Sequence, residues 1–171
     1  PEPAREMALG VIREIATALS KPREDWYPPS LEQRVLEVTK NSLANGAAGL
    51  AVFFDYAGRA LEDSRLIDCS HAWLDRAITS IMEVPTSPAL YVGYPGVAWA
   101  AAHLCRTAGV KASDKDSQEE IENALCETLS QTPWVDHFDL IVGLSGVGIY
   151  ALERLPDPFA VRCLSLVIER L

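Results

Sequence analysis

The sequence predicts an all-α fold, an α/α toroid built of helical hairpins, of which this chain supplies about half the ring. Three observations predict it. A glycine-led segment occurs three times. Amphipathic stretches alternate with stretches that are apolar on nearly every side. The pattern stops after three hairpins and one leading helix of a fourth, too few to close a ring.

The elements follow in order. From Ala4 to Leu19, Met7, Val11, Ile12, Ile15 and Leu19 recur at helical spacing, with Arg5, Glu6, Arg13 and Glu14 on the other faces, so an outer helix is expected over about 4–19. Trp26, Tyr27, Pro28 and Pro29 form a turn or rigid connector. The first glycine-led copy is SLANGAAGLAVFF (42–54), the second ALYVGYPGVAWA (89–100), the third DLIVGLSGVGIY (139–150). Each places two glycines three apart, at 46–49, 93–96 and 143–146, ahead of an uncharged apolar run. The period of roughly 50 residues suits an array of helical pairs. Between the copies, Leu66, Ile67, Leu74, Ile78 and Ile81 make a second amphipathic stripe between Asp63 and Met82. Pro85 and Pro88 mark a connector. Ile121, Leu125 and Leu129 make a third stripe, with Asp116 and Ser117 as cap candidates. Phe159, Leu164, Val167, Ile168 and Leu171 make a fourth, opened by Pro158 in a first-turn position.

A helix without a polar face has to be covered on all sides. The glycine-led helices therefore form an inner layer and the amphipathic ones an outer layer. Glycines at the inner helix starts permit positive φ and close backbone approach, and they gather helix N-termini at one end of the toroid. A partial ring of this kind either exposes a long apolar flank or covers it by pairing.

Composition narrows the function. The chain has 171 residues, 49% of them hydrophobic, with 15 basic against 24 acidic side chains and a net charge of −9. A field of that sign repels phosphate backbones and anionic lipid, so neither nucleic acid nor a membrane is an expected partner. No uncharged run approaches the roughly 20 residues of a membrane span, and the N-terminal stretch carries charges throughout, unlike a signal peptide. A cytoplasmic protein is expected. Cys69, Cys105, Cys126 and Cys163 form no CxxC pair and read as reduced thiols packed as small hydrophobes.

The three glycine-led segments, SLANGAAGLAVFF, ALYVGYPGVAWA and DLIVGLSGVGIYAL, resemble the first three repeat signatures of the lanthionine synthetase C-like cyclases. The resemblance implies a toroid of seven helical hairpins, with residues 1–171 as its N-terminal half. It also implies an activity. A cysteine thiolate of a precursor peptide adds to dehydroalanine or dehydrobutyrine to form a thioether ring, with a zinc ion lowering the thiol pKa. The family's zinc ligands are two cysteines and a histidine, the latter within a Cys-His-Gly sequence of the second half. This chain contains no Cys-His-Gly. No metal or cofactor is therefore expected to be bound by this chain, and zinc is expected only of the complete domain. The fragment alone is expected to lack activity. The implied partners are the precursor peptide and either the C-terminal half of the toroid or a self-association partner.

Candidate residues follow on the same footing. The resemblance makes Asp139, four residues before Gly143, a candidate acid/base group facing the central cavity. Read from the residues alone, it either faces a site or caps the helix start. Asp136 and His137 stand close by in sequence. The motif glycines Gly46, Gly49, Gly93, Gly96, Gly143 and Gly146 are candidates for substrate contact at the helix starts, or serve packing alone. Cys69 with His71, and His103 with Cys105, are two apart, which points their side chains to nearly opposite sides of a helix and disfavours chelation. His103 reads as a hydrogen-bonded core histidine. Trp99, Phe53, Phe54 and Tyr150 read as core. A paired-carboxylate hydrolase would have only Asp55 and Asp139 near the inner segments. The main alternative is a non-catalytic peptide- or protein-binding toroid.

Overall fold

The computed structural model describes residues 2–20, 26–109, 115–131 and 133–171, with backbone alone for 115–120. Among them the regular elements are helices: α1 Glu2–Leu19, α2 Gln33–Asn41, α3 Ala47–Leu61, α4 Ser64–Glu83, α5 Tyr94–Ala108, α6 Lys115–Ser130, α7 Leu144–Glu153 and α8 Pro158–Arg170. No strand occurs among the described residues. The all-α expectation holds, with one element more than the periodicity gave. Helix α2 lies between the Trp26–Pro29 connector and the first glycine.

Local chemistry sets the boundaries. Asp63 caps α4 by accepting from the Arg65 amide at 3.0 Å. Asp157 caps α8 by accepting from Phe159 at 2.9 Å, with Pro158 in the first turn, where its missing N–H costs nothing. Helix α5 ends on Gly109, whose φ of 69° places it in the left-handed region typical of a helix stop. Asp116 and Ser117 fall inside the first turn of α6, and their side chains lie outside the described residues.

The inner helices are α3, α5 and α7, and they touch in that order. Helix α3 packs chiefly on α4 and carries α1 on another side, while α7 packs on α8. One core lies among α1, α3, α4 and α5, around Phe54, Trp73, Val97 and Leu104. A second lies around Leu125, Leu129, Leu144, Tyr150 and Cys163. Leu43 and Trp99 pack against both.

Two expectations about burial need correction. Helix α1 buries Ala16, whereas Met7, Val11 and Ile15 of its apolar stripe are exposed, Met7 at 73%. Helix α7 is not covered all round. Ile149 and Leu152 are exposed on one flank, and Leu140, Ile141 and Val142, which precede the helix, are exposed beside them. Apolar side chains of the third copy are therefore exposed.

The glycines also differ from expectation in part. Gly46, Gly93 and Gly143 cap their helices with φ of −142°, −128° and −113°, extended backbone rather than positive φ. Close approach is what requires them. A Cβ on Gly93 would lie 1.9 Å from the Ser87 carbonyl oxygen, and one on Gly143 would lie 2.5 Å from that of His137. In both copies the offending carbonyl lies six residues upstream, so the preceding loop folds directly across the helix start. Successive loops then join through their backbones. The Ala44 amide donates to the Tyr91 carbonyl at 3.0 Å, and the Tyr91 amide donates to the Ile141 carbonyl at 3.1 Å. Ala44, Tyr91 and Ile141 each stand two residues before the first glycine of their copy. The three inner helix starts consequently sit side by side.

Candidate functional site

Asp139 sits in the third of these loops, exposed to solvent. Its Oδ1 accepts from the amide of Ile141 at 2.7 Å and from that of Val142 at 3.0 Å. These two donors, Val142 foremost, hold its carboxyl below the usual carboxylate range. It is ionised at neutral pH. The group it caps is its own loop, since Gly143 is the N-cap of α7. Around it the loop is tied down by Ser145 Oγ donating to the Phe138 carbonyl at 2.6 Å and by Leu144 donating to that of His137 at 3.0 Å. Trp134 Nε1 donates to the same His137 carbonyl at 3.1 Å. Asp136 and His137 are exposed loop residues, with Asp136 Oδ1 accepting from the His137 amide at 2.8 Å.

The motif glycines are largely enclosed. Gly93, Gly96, Gly143 and Gly146 are buried, and a Cβ on Gly96 or Gly146 would meet the carbonyl of Leu90 or Leu140. Gly46 is buried as well, and with the half-buried Gly49 it lines an open cavity of about 570 Å³, together with Leu19, Trp26, Leu31 and Leu50.

A second polar cluster escaped the sequence reading. Tyr56 of α3, His103 of α5 and Glu153 of α7 each stand ten residues after the first glycine of their copy. The Tyr56 hydroxyl lies 2.8 Å from His103 Nε2, and His103 Nδ1 lies 3.2 Å from Glu153 Oε1. Arg106 Nη2 lies 3.3 Å from the same Nδ1, so the tautomer decides whether Nδ1 donates to the carboxylate or accepts from Arg106. Arg106 Nε donates to the same Glu153 oxygen at 2.6 Å, and Trp99 stacks on the imidazole at 4.7 Å between ring centroids. His103 is thus a hydrogen-bonded core histidine. The signal was one of register, not of residue type.

Phe54 and Tyr150 are fully buried, and Phe53 and Trp99 are half-buried against the core. All four cysteines are free thiols. His71 is exposed on α4, and His103 is committed to Tyr56 and Glu153. Among the described residues no group of three His, Cys, Asp or Glu side chains is arranged to hold a metal ion. Asp55 is buried midway along α3 and held by Arg59 at 2.8 and 3.0 Å, whereas Asp139 lies before the start of α7. Both oxygens of Asp55 are thus taken by Arg59, which leaves no free carboxylate there to work with Asp139. No helix among the described residues is long and apolar enough to cross a membrane.

Outer and inner helices in alternation, with each inner helix started by a glycine under a crossing loop, define a segment of an α/α toroid. Comparison with curated proteins and with solved structures gives no match. The family model of lanthionine synthetase C-like protein matches residues 37–168, and the chain belongs to that family.

Proposed function

We propose that this chain is part of a lanthionine synthetase C-like peptide cyclase. In this reading a cysteine sulfur of a precursor peptide adds to the β-carbon of a dehydroalanine or dehydrobutyrine. The C–S bond forms as the thiol proton leaves, the π pair passes to the α-carbon as an enolate, and a proton taken up there completes the thioether ring. Asp139, kept ionised by its two amide donors, starts as a proton acceptor rather than a supplier, and its depressed pKa makes it a weak base that passes a proton on rather than holding it. Zinc belongs to the complete domain. In this reading its ligands belong to hairpins beyond these three, and no step here runs through it. The 171-residue chain alone is then inactive.

The observation that supports this most is the family match over 37–168, with Asp139 standing at the start of the third glycine motif. The test has two arms. In the complete cyclase, Asp139→Asn should abolish ring closure on a peptide bearing one cysteine and one dehydroalanine while leaving the fold intact, since Asn caps nearly as well as Asp. The addition conserves mass, so closure is read as a thiol that iodoacetamide no longer alkylates. An unchanged rate would remove Asp139 from the chemistry. Stoichiometric zinc retained by the purified 171-residue chain would overturn the placement of the metal.

A further inference from the structure

Asn41 closes α2, one residue before the first glycine-led copy begins. It is buried, with 5% of its surface exposed. Its amide nitrogen donates both protons, to the Glu37 carbonyl at 2.8 Å and to Ser80 Oγ of α4 at 2.8 Å. A main-chain carbonyl can only accept, so the Glu37 contact fixes which end of the amide is nitrogen. The other end, Oδ1, is enclosed and accepts no hydrogen bond from the described residues. Buried acceptors in folded proteins are nearly always supplied with a donor, because an unpaired one has lost its hydration for nothing.

A small cavity of about 10 Å³ lies against this residue. Helix α2 contributes Val38 and Asn41 to its wall, α4 contributes Ser80, and the approach to α5 contributes Thr86 and Gly93. The volume matches the roughly 10–15 Å³ that a single water molecule needs on this measure. No residue of the wall carries a formal charge, which disfavours an ion. The wall is made by the first and second copies together, so the cavity lies between hairpins and not at either end of the array.

We propose that this cavity binds one structural water molecule, which donates to Asn41 Oδ1 and accepts from the hydroxyls of Ser80 and Thr86. Three bonds are the usual complement of a buried water. The water ties the end of α2 to α4 and to the connector that carries the second glycine motif. It thereby fixes the seam between the first two hairpins. The inference rests on this geometry and not on the cyclase reading, so either can fail alone.

A high-resolution crystal structure tests it directly. One peak of density should stand about 3 Å from Asn41 Oδ1. A cavity without density overturns the proposal, as does a peak with the shorter and more numerous contacts of a metal cation. Val38→Ile puts the same question in solution, since it adds one methyl group to the wall. If the water is needed, magnetic relaxation dispersion of the solvent oxygen should count one fewer long-lived water than in the parent, and Tm should fall. A dry cavity would be filled to advantage instead, and a raised Tm with an unchanged water count refutes the site. The same methyl added to Asn41→Leu, where no acceptor is left to strand, should lower Tm less than it does in the parent. An equal loss in both backgrounds would mean crowding alone and would remove the bond to Asn41.

Discussion

Replacing Gly96 by alanine tests whether close approach, and not backbone freedom, is what the motif glycines supply. A Cβ there would stand 1.8 Å from the Leu90 carbonyl oxygen and 3.0 Å from the Leu43 Cβ. The carbonyl would have to retreat by more than an ångström. Leu90 is bonded in sequence to Tyr91, which holds both loop-to-loop hydrogen bonds. Loosening those two bonds costs about 1 kcal/mol each. Partial exposure of Leu43 adds about 1–2 kcal/mol. The better helix propensity of alanine returns at most about 1 kcal/mol. The net expectation is a loss of about 2–3 kcal/mol, or roughly 4–12 °C in Tm for a chain of this length. Gly10→Ala is the control, because nothing lies within 4 Å of a Cβ there on exposed α1, and it should gain about 0.5–1 kcal/mol. Urea unfolding followed by tryptophan fluorescence and by far-ultraviolet circular dichroism reads both variants. A Gly96→Ala protein as stable as Gly10→Ala would refute the reasoning, since the clash is with backbone that has no rotamer to yield.

Two further outcomes follow from buried groups. His103→Ala removes the ring joining Tyr56 to Glu153 and leaves Glu153, 12% exposed, to Arg106 alone. The expected cost is about 2–3 kcal/mol, against about 1 kcal/mol for Tyr56→Phe, both measured by urea unfolding. Burial pushes the Cys163 thiol up to about 12, with Cys126 and Glu122 adding to the effect. The folded protein thus disfavours the thiolate, and Cys163 favours unfolding increasingly as pH rises above the ordinary thiol value, because the unfolded chain ionises there first. A disulfide reagent at pH 8 should spare Cys163 until denaturant is added, and mass mapping of the labelled cysteines checks this.

Much of the fold could be read before any coordinates. The three glycine pairs mark α3, α5 and α7, and Asp63 and Pro158 mark the starts of α4 and α8, because motif and cap chemistry act within one turn of chain. Helix α2 was missed because its nine residues carry Arg34, Glu37 and Lys40 among few apolar positions, leaving too short a stripe to register. The exposure of Met7, Val11 and Ile15 was not legible either. Periodicity reports that a face is apolar, not whether anything stands against it. At the site, Asp139 could be found from its place before Gly143, but its partners could not. An aspartate that caps a helix and one that caps its own loop differ by which amides turn toward it. The Tyr56–His103–Glu153 cluster was hidden for another reason. Its members share a register and no residue type, so only counting from the glycines in three copies at once brings them together.

The amide of Ile141 ties these observations to one another. In the first two copies the amide at this position serves the neighbouring loop, as Ala44 does for Tyr91 and Tyr91 for Ile141. In the third it serves Asp139 instead. A loop docked on the third hairpin in the manner of the other two would draw that amide away and leave the carboxylate with Val142. The acidity of Asp139 depends on both donors, so such docking would raise its pKa from the depressed value it has here. The carboxylate would then take its final pKa only with a further loop docked on the third hairpin. For the acid/base role proposed for Asp139, that is a physical reason to stand at the junction between hairpins rather than within one.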